Sequence, residues 1–292
     1  FKINFSPKIK FFFKRLLPSI FSSGVTQINI LVGTIIASFE AGAVSYLYYA
    51  DRIYQINLAI AGIAVGTVVL PALSNKIKLG NQTEINNIQN RSLELSLLLS
   101  VPAAFGLILA SKEIVNGLFG YGSFEEKDIL LTAKALYFFG LGVPAFSLIK
   151  ILSSFFFARD NTKIPFYISI FSVSLNIIIS LLFFEKYGFI IIPIATSIST
   201  WLAVLFYSIL LMKFNFFKSS AVFFKNCLKI LFSTAVMIVL LIYFLNLFED
   251  KFIYNNHYKA FYLIVTLGVC AGAYLVFVRL LGILKIKNFK ID

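Results

Sequence analysis

Eight long runs of apolar residues, separated by short polar connections, make up most of the chain. They lie at roughly 18–38, 44–73, 93–110, 130–157, 164–184, 189–212, 228–248 and 260–284. A helix that crosses a bilayer needs about 20 mostly apolar residues, and each run is long enough to qualify. The pattern predicts an all-α integral membrane protein with about eight transmembrane helices. It also predicts a division: a basic segment at 1–17, a six-helix lobe at 18–212, a connector at 213–227, a further helix pair at 228–284 and a tail at 285–292. In the connector, Phe214, Phe216, Phe217, Phe223 and Phe224 lie among lysines. That mixture suits a short amphipathic stretch on a membrane surface.

Composition sharpens this picture. The chain is 59% hydrophobic and 13% charged, with a mean hydropathy of +0.89. A soluble domain is about half apolar and about a quarter charged, so the apolar excess here must face lipid. The net charge of +13 would suit nucleic acid if it formed one stripe. Instead the cations sit in the connections, the pattern of membrane loops, so nucleic acid is not an expected partner. Eighteen lysines and arginines fall in one alternating set of segments, among them Lys8, Lys76, Arg159, Lys213 and Lys285. Five fall in the other: Lys112, Lys127, Lys186, Lys251 and Lys259. Cytoplasmic loops carry the excess, which predicts that both ends of this chain are cytoplasmic.

Other chemistry is sparse. Cys227 and Cys270 do not make a disulfide framework, and a single histidine, His257, makes no metal cluster. No carboxylate pair shares a span, and no nucleophile triad or phosphate loop is evident, so neither an enzyme nor a cofactor is expected. The chain begins at Phe1 without a signal-peptide pattern. The expectation is that it is the C-terminal part of something longer.

Three cations, Arg52, Lys134 and Lys150, fall inside spans, where a charge is costly and needs a cavity or a partner. In the second run, Ser45, Tyr48, Arg52 and Gln55 share one helical face, which continues through Ala59, Gly62 and Gly66. Its polar half reads as the wall of a wet cavity with Arg52 as an anion ligand, and its small-residued half as a surface that another helix can approach closely; the competing reading for Arg52 is that it snorkels to the headgroups. Asp51 points about 100° away and calls for a partner on another helix, or water. Ser22, Thr26, Asn29 and Gly33 form a second small polar face, serving either helix–helix hydrogen bonds or a cavity wall. Lys150 either snorkels or faces the same cavity. Asn176, Ser180, Thr196 and Ser199 offer weak cation ligands without a carboxylate. Pro102, Pro144 and Pro193 are candidate kinks or hinges.

Three segments carry a family resemblance. The run Ile36-Ala-Ser-Phe-Glu-Ala-Gly-Ala-Val-Ser45-Tyr-Leu-Tyr-Tyr-Ala-Asp51-Arg52, with its continuation Gly62 to Ser74, resembles the MurJ (MviN) family of lipid II flippases. So do Lys150 to Pro165 and the loop Phe119-Gly-Tyr121-Gly-Ser-Phe124. The resemblance implies the second lobe and extra helix pair of a fourteen-helix exporter fold, in the bacterial cytoplasmic (inner) membrane. It implies lipid II, an undecaprenyl-diphosphate-linked sugar-peptide, as the partner, besides membrane lipids and a missing N-terminal lobe. Arg52, Asp51 and Ser45 carry over as cavity residues. Many members place an acid where this chain has Gln55. The implied activity is flipping of that lipid by alternating access. Export of another lipid-linked oligosaccharide or of a small cation, or a half that transports nothing, are the alternatives.

Overall fold

The structure is a computed structural model, and it describes residues 27–283. The described residues form helices joined by turns, with no strand among them. Helix α1 is described over Gln27–Ala37. It is followed by α2 (Ala43–Leu58), a π-helical segment (Ala59–Ala64) and α3 (Val65–Lys78), which form one long span. Then come α4 (Gln82–Leu109), α5 (Ser111–Phe119), α6 (Glu126–Phe157), α7 (Lys163–Tyr187), α8 (Ile191–Lys213), α9 (Ala221–Leu247) and α10 (Lys259–Leu280). Counting α2–α3 as one and setting aside the short α5, eight helices result among the described residues; six stretches, with α7–α8 taken together, are long and apolar enough to cross a membrane, and α1 is described over 11 residues. The all-helical, eight-span expectation holds.

The helix boundaries teach more than the count. Helix α4 starts at Gln82, eleven residues before the apolar run. Its first turns are polar, so hydropathy misses them, yet Asn81 caps them by accepting from the Glu84 N–H at 3.2 Å. Helix α9 starts at Ala221, capped by the Ser220 hydroxyl accepting from the Phe223 N–H at 3.1 Å, so residues 221–227 form its first turns. Pro193 is the third residue of α8, where a missing N–H costs nothing; it is a helix starter and not a hinge. Pro71, Pro102 and Pro144 do lie inside helices.

Helix α6 is the central post, packed by α2, α4, α5 and α8. Glu125 and Asp128 form a reciprocal capping box at its start. Two apolar clusters surround it. One centres on Ala50, Leu136, Val143 and Phe189, the other on Leu73, Phe155, Phe156 and Tyr207. A third cluster, with Leu98, Met237, Leu241 and Tyr274, joins α9 and α10 to α4.

Side chains fix the two ends of the bundle. At one end, Glu40 accepts from the Phe189 N–H at 2.8 Å, and the Asn116 amide donates to the Phe252 carbonyl at 2.7 Å. This is the acidic end. At the other, Arg159 and Gln89 both donate to the Phe216 carbonyl, at 2.8 and 2.9 Å, and Asn90 donates to the Lys218 carbonyl at 2.9 Å. This is the basic end.

Candidate functional site

The site grows from the two faces of α2. Ala43, Tyr46, Ala50 and Ile53 are buried at helical spacing and pack into the bundle. Ser45, Tyr48 and Arg52 lie on the opposite face and are exposed, Tyr48 by 53%. Gln55 is half-buried. An arginine turned outward this far into a span must meet water, the headgroups or a partner.

Arg52 is held ready on it. Its guanidinium carbon sits 4.6 Å from the centroid of the Tyr48 ring, one turn back, a cation–π contact. It forms no ion pair among the described residues. Its five N–H groups make a rigid fork suited to phosphate.

Asp51 corrects the expectation of an interhelical partner. Gln55, four residues on, donates its amide to the carboxylate. The Tyr54 hydroxyl lies within electrostatic reach of the same carboxylate. The Tyr54 ring lies stacked between Phe139 at 4.9 Å and Phe146 at 5.1 Å, both on α6. Asp51 is thus tied to its own helix by Gln55, beside a tyrosine that packs on α6. The sequence signal was the Asp-x-x-x-Gln spacing, which puts the donor one turn away.

The π segment after Leu58 changes how the stripe runs. A π turn takes about one residue more than an α turn, so the face that leads inward from Arg52 is set back. Gly62 is buried against α6, and a Cβ there would lie 3.2 Å from the Ser147 Cα and 3.4 Å from the Lys150 Cγ. The stripe divides as its residue types suggest: open at Ser45, Tyr48 and Arg52, and closed onto α6 at the small-residued half, where Gly62 lets that helix come close. Lys150 is exposed beside this glycine. Gly62 lies ten residues past Arg52, so the two cations are separated by about 15 Å along the helix axis.

Asn29 is brought to a different neighbour. Its side-chain oxygen accepts from the Asn176 amide at 2.7 Å, and Ser180 donates to the Asn176 oxygen at 3.4 Å. Ser172 donates to the Ser199 carbonyl at 3.2 Å, and Thr196 to the Ile192 carbonyl at 2.7 Å. Asn176 thus fastens α7 to α1 and Ser172 fastens α7 to α8, while Thr196 bonds within its own helix. Ser22 and Thr26 lie outside the described residues.

A profile described as "Lipid II flippase MurJ" matches residues 2–263. The chain belongs to this family. Relatives named "Probable lipid II flippase MurJ" include one from Rhizobium tropici, 42% identical over 199 residues, covering 68% of this chain and 37% of the relative. Another, from Vibrio cholerae, is 30% identical over 278 residues, covering 94% and 52%. Among solved structures, "Lipid II flippase MurJ, inward closed conformation" superposes with a TM-score of 0.75 at 29% identity, covering 95% of this chain and 56% of that one. An outward-facing multidrug resistance MATE family transporter of the MOP superfamily gives 0.61 at 16% identity, which shows the shared exporter fold. The chain spans about a third to a half of the length of these MurJ relatives.

Proposed function

We propose that this chain forms the second lobe and extra helix pair of a lipid II flippase. With a first lobe, it moves the lipid-linked peptidoglycan precursor from the inner to the outer leaflet of the bacterial cytoplasmic membrane by alternating access. The basic end is cytoplasmic, as are both ends of the chain. The observation that carries the reading is Arg52, uncovered, stacked on Tyr48 and without an ion-pair partner among the described residues. It presents a fork for a diphosphate on the face that a first lobe would complete. Lys150 extends the positive field toward the basic end. Export of a small cation fits these two cations badly.

A place for the polyprenyl tail is supported by an apolar groove of about 340 Å³ between α4, α9 and α10, walled by Leu98, Pro102, Met237, Leu241 and Tyr274. Asn57 of α2 also lines it, so the groove reaches the span that carries Arg52. The protein's work is binding and reorientation, with no bond made or broken.

Complementation tests the reading. The native flippase of a bacterial host is depleted, and this chain is expressed alone or fused to a matching first lobe. The fusion is expected to restore growth, the chain alone to fail, and the Arg52→Ala fusion to fail although inserted. Retained flipping by Arg52→Ala would remove the diphosphate role. A well-inserted fusion that rescues nothing would point to another lipid-linked oligosaccharide.

A further inference from the structure

Beyond the Arg52 face, the acidic end holds a second concavity, of about 470 Å³, between the start of α2 and the loop before α6. Its volume falls in the range of small-molecule sites. Ser45, Tyr46 and Tyr49 of α2 form one wall, and Phe119, Tyr121 and Phe124 with Asp128 form the other. It combines an aromatic surface, a carboxylate and hydroxyls.

The recess is built and fastened. Tyr46 donates to Asp128 at 2.9 Å, and the second Asp128 oxygen accepts from the Glu125 N–H at 2.9 Å. Tyr49 packs on Phe119 at 4.7 Å and on Phe124 at 5.3 Å. The loop is pinned from behind by α10: Lys259, 1% exposed, donates to the carbonyls of Gly120 and Tyr254. Its ammonium also sits 4.3 Å from the Tyr121 ring centroid. The Tyr254 hydroxyl donates to the Phe124 carbonyl at 3.0 Å. Tyr121 is nonetheless 47% exposed. One ring face is fixed on the lysine while the other is open. Gly42 completes the recess with φ +79°, and a Cβ there would lie 2.7 Å from the Tyr46 hydroxyl oxygen.

We propose that this recess is a binding site for a pyranose sugar. The C–H face of the ring stacks on the open face of Tyr121, and ring hydroxyls donate to Asp128 and exchange hydrogen bonds with Ser45. Aromatic rings present a negative face to such polarised C–H groups. Carboxylate acceptors give the stronger, charge-assisted hydrogen bonds. Ser45 lies seven residues from Arg52 on the same face, about 10 Å along the helix. A sugar carried directly on a diphosphate held at Arg52 spans that gap. Only this link to the diphosphate rests on the proposed function; the sugar site stands on the recess itself.

The test uses the purified chain in nanodiscs, which avoids sugar-headed detergents. Methyl N-acetyl-β-D-glucosaminide is the probe, read by saturation-transfer NMR. Transfer is expected to be strongest at the protons of one ring face. Tyr121→Ser is expected to weaken binding at least tenfold, and Asp128→Asn several-fold, each read well below the variant's own melting temperature because Asp128 also caps α6 and Tyr121 also covers Lys259. Absence of transfer in the wild type, or wild-type transfer in both variants, overturns the proposal. Pyrophosphate titration of wild type and Arg52→Ala runs in parallel. Sugar binding without pyrophosphate binding removes the diphosphate reading and leaves the sugar site; the reverse removes the sugar site alone.

Discussion

Two pairs of helix-borne cations differ in how their donors are filled. Arg91 and Lys259 are satisfied by the protein. Arg91 meets the Glu94 carboxylate at 2.5 Å, with Glu94 almost wholly buried, and also donates to the Ile283 carbonyl at 3.4 Å. Lys259 is enclosed by two carbonyls and two tyrosine rings. Arg52 and Lys150 make no ion pair among the described residues, and both are exposed. A cation whose donors are filled by backbone holds helices together. A cation propped on a tyrosine and left open keeps its donors for something else.

The comparison breaks most visibly at Lys259. Lys259→Ala leaves the Gly120 and Tyr254 carbonyls without their donor and unpins the Phe119–Phe124 loop. Each stranded buried acceptor costs roughly 1–3 kcal/mol, so the melting temperature in nanodiscs is expected to fall by about 5–10 °C. An unchanged melt would mean that enclosure does not mark a structural cation. Arg91→Ala follows, at roughly 2 kcal/mol, because it leaves the buried Glu94 carboxylate uncompensated; the half-open position of Arg91 keeps the cost below that of a fully buried pair. Restoring the melt with Arg91→Ala/Glu94→Gln would confirm that the stranded charge is the cause.

Gly62→Ala probes the split between the open and closed halves of the second span. The added methyl meets the Leu58 side chain at 3.1 Å and the Ser147 backbone at 3.2 Å. Leu58 can turn aside but the α6 backbone cannot, so overpacking of roughly 1–2 kcal/mol is expected. Arg52→Ala is the counterpart on the open half. It touches stability by less than about 0.5 kcal/mol, as for an exposed side chain, while pyrophosphate affinity falls at least tenfold. A large loss of stability there would place Arg52 with the structural cations.

The fold was legible because its cause is one-dimensional: apolar length and loop charge suffice for eight crossings. The open face of α2 was legible for the same reason, since Ser45, Tyr48 and Arg52 follow helical spacing. What stayed hidden depends on neighbours. The π segment at Ala59–Ala64 leaves no mark in composition, yet it decides that Gly62 faces α6. Asp51 is adjacent to Arg52 in the chain, yet its hydrogen bond comes from Gln55, one turn on. Lys259 reads as one more loop charge, and nothing in composition sets Asp128 apart from its acidic neighbours. Their roles come from the Phe119–Phe124 loop folding back between α2 and α10, which no periodicity encodes. Asn29 shows the converse: its polar face was visible, but only the packed structure reveals that Asn176 takes it.

The smallest effect concerns Glu113 of α5, at the acidic end. Burial pushes its carboxyl above the ordinary value of 4.5, with its own backbone N–H and Lys112 acting in the opposite sense. Glu126 and Glu249 line the same recess and add no compensation. A raised folded pKa means that the native state binds its proton more tightly than the unfolded chain does. The native state is then favoured below the ordinary carboxylate value, and this contribution is lost as pH rises through the folded pKa. Glu113→Gln keeps the shape and removes the charge. It is expected to raise the melting temperature at pH 7 by about 1–2 °C and to leave it unchanged at pH 4, where the wild-type carboxyl is already protonated. A gain of equal size at both pH values would trace the effect to packing. A loss at pH 7 would show the carboxylate to be held by a cation, moving this end of the bundle into the satisfied group with Arg91 and Lys259.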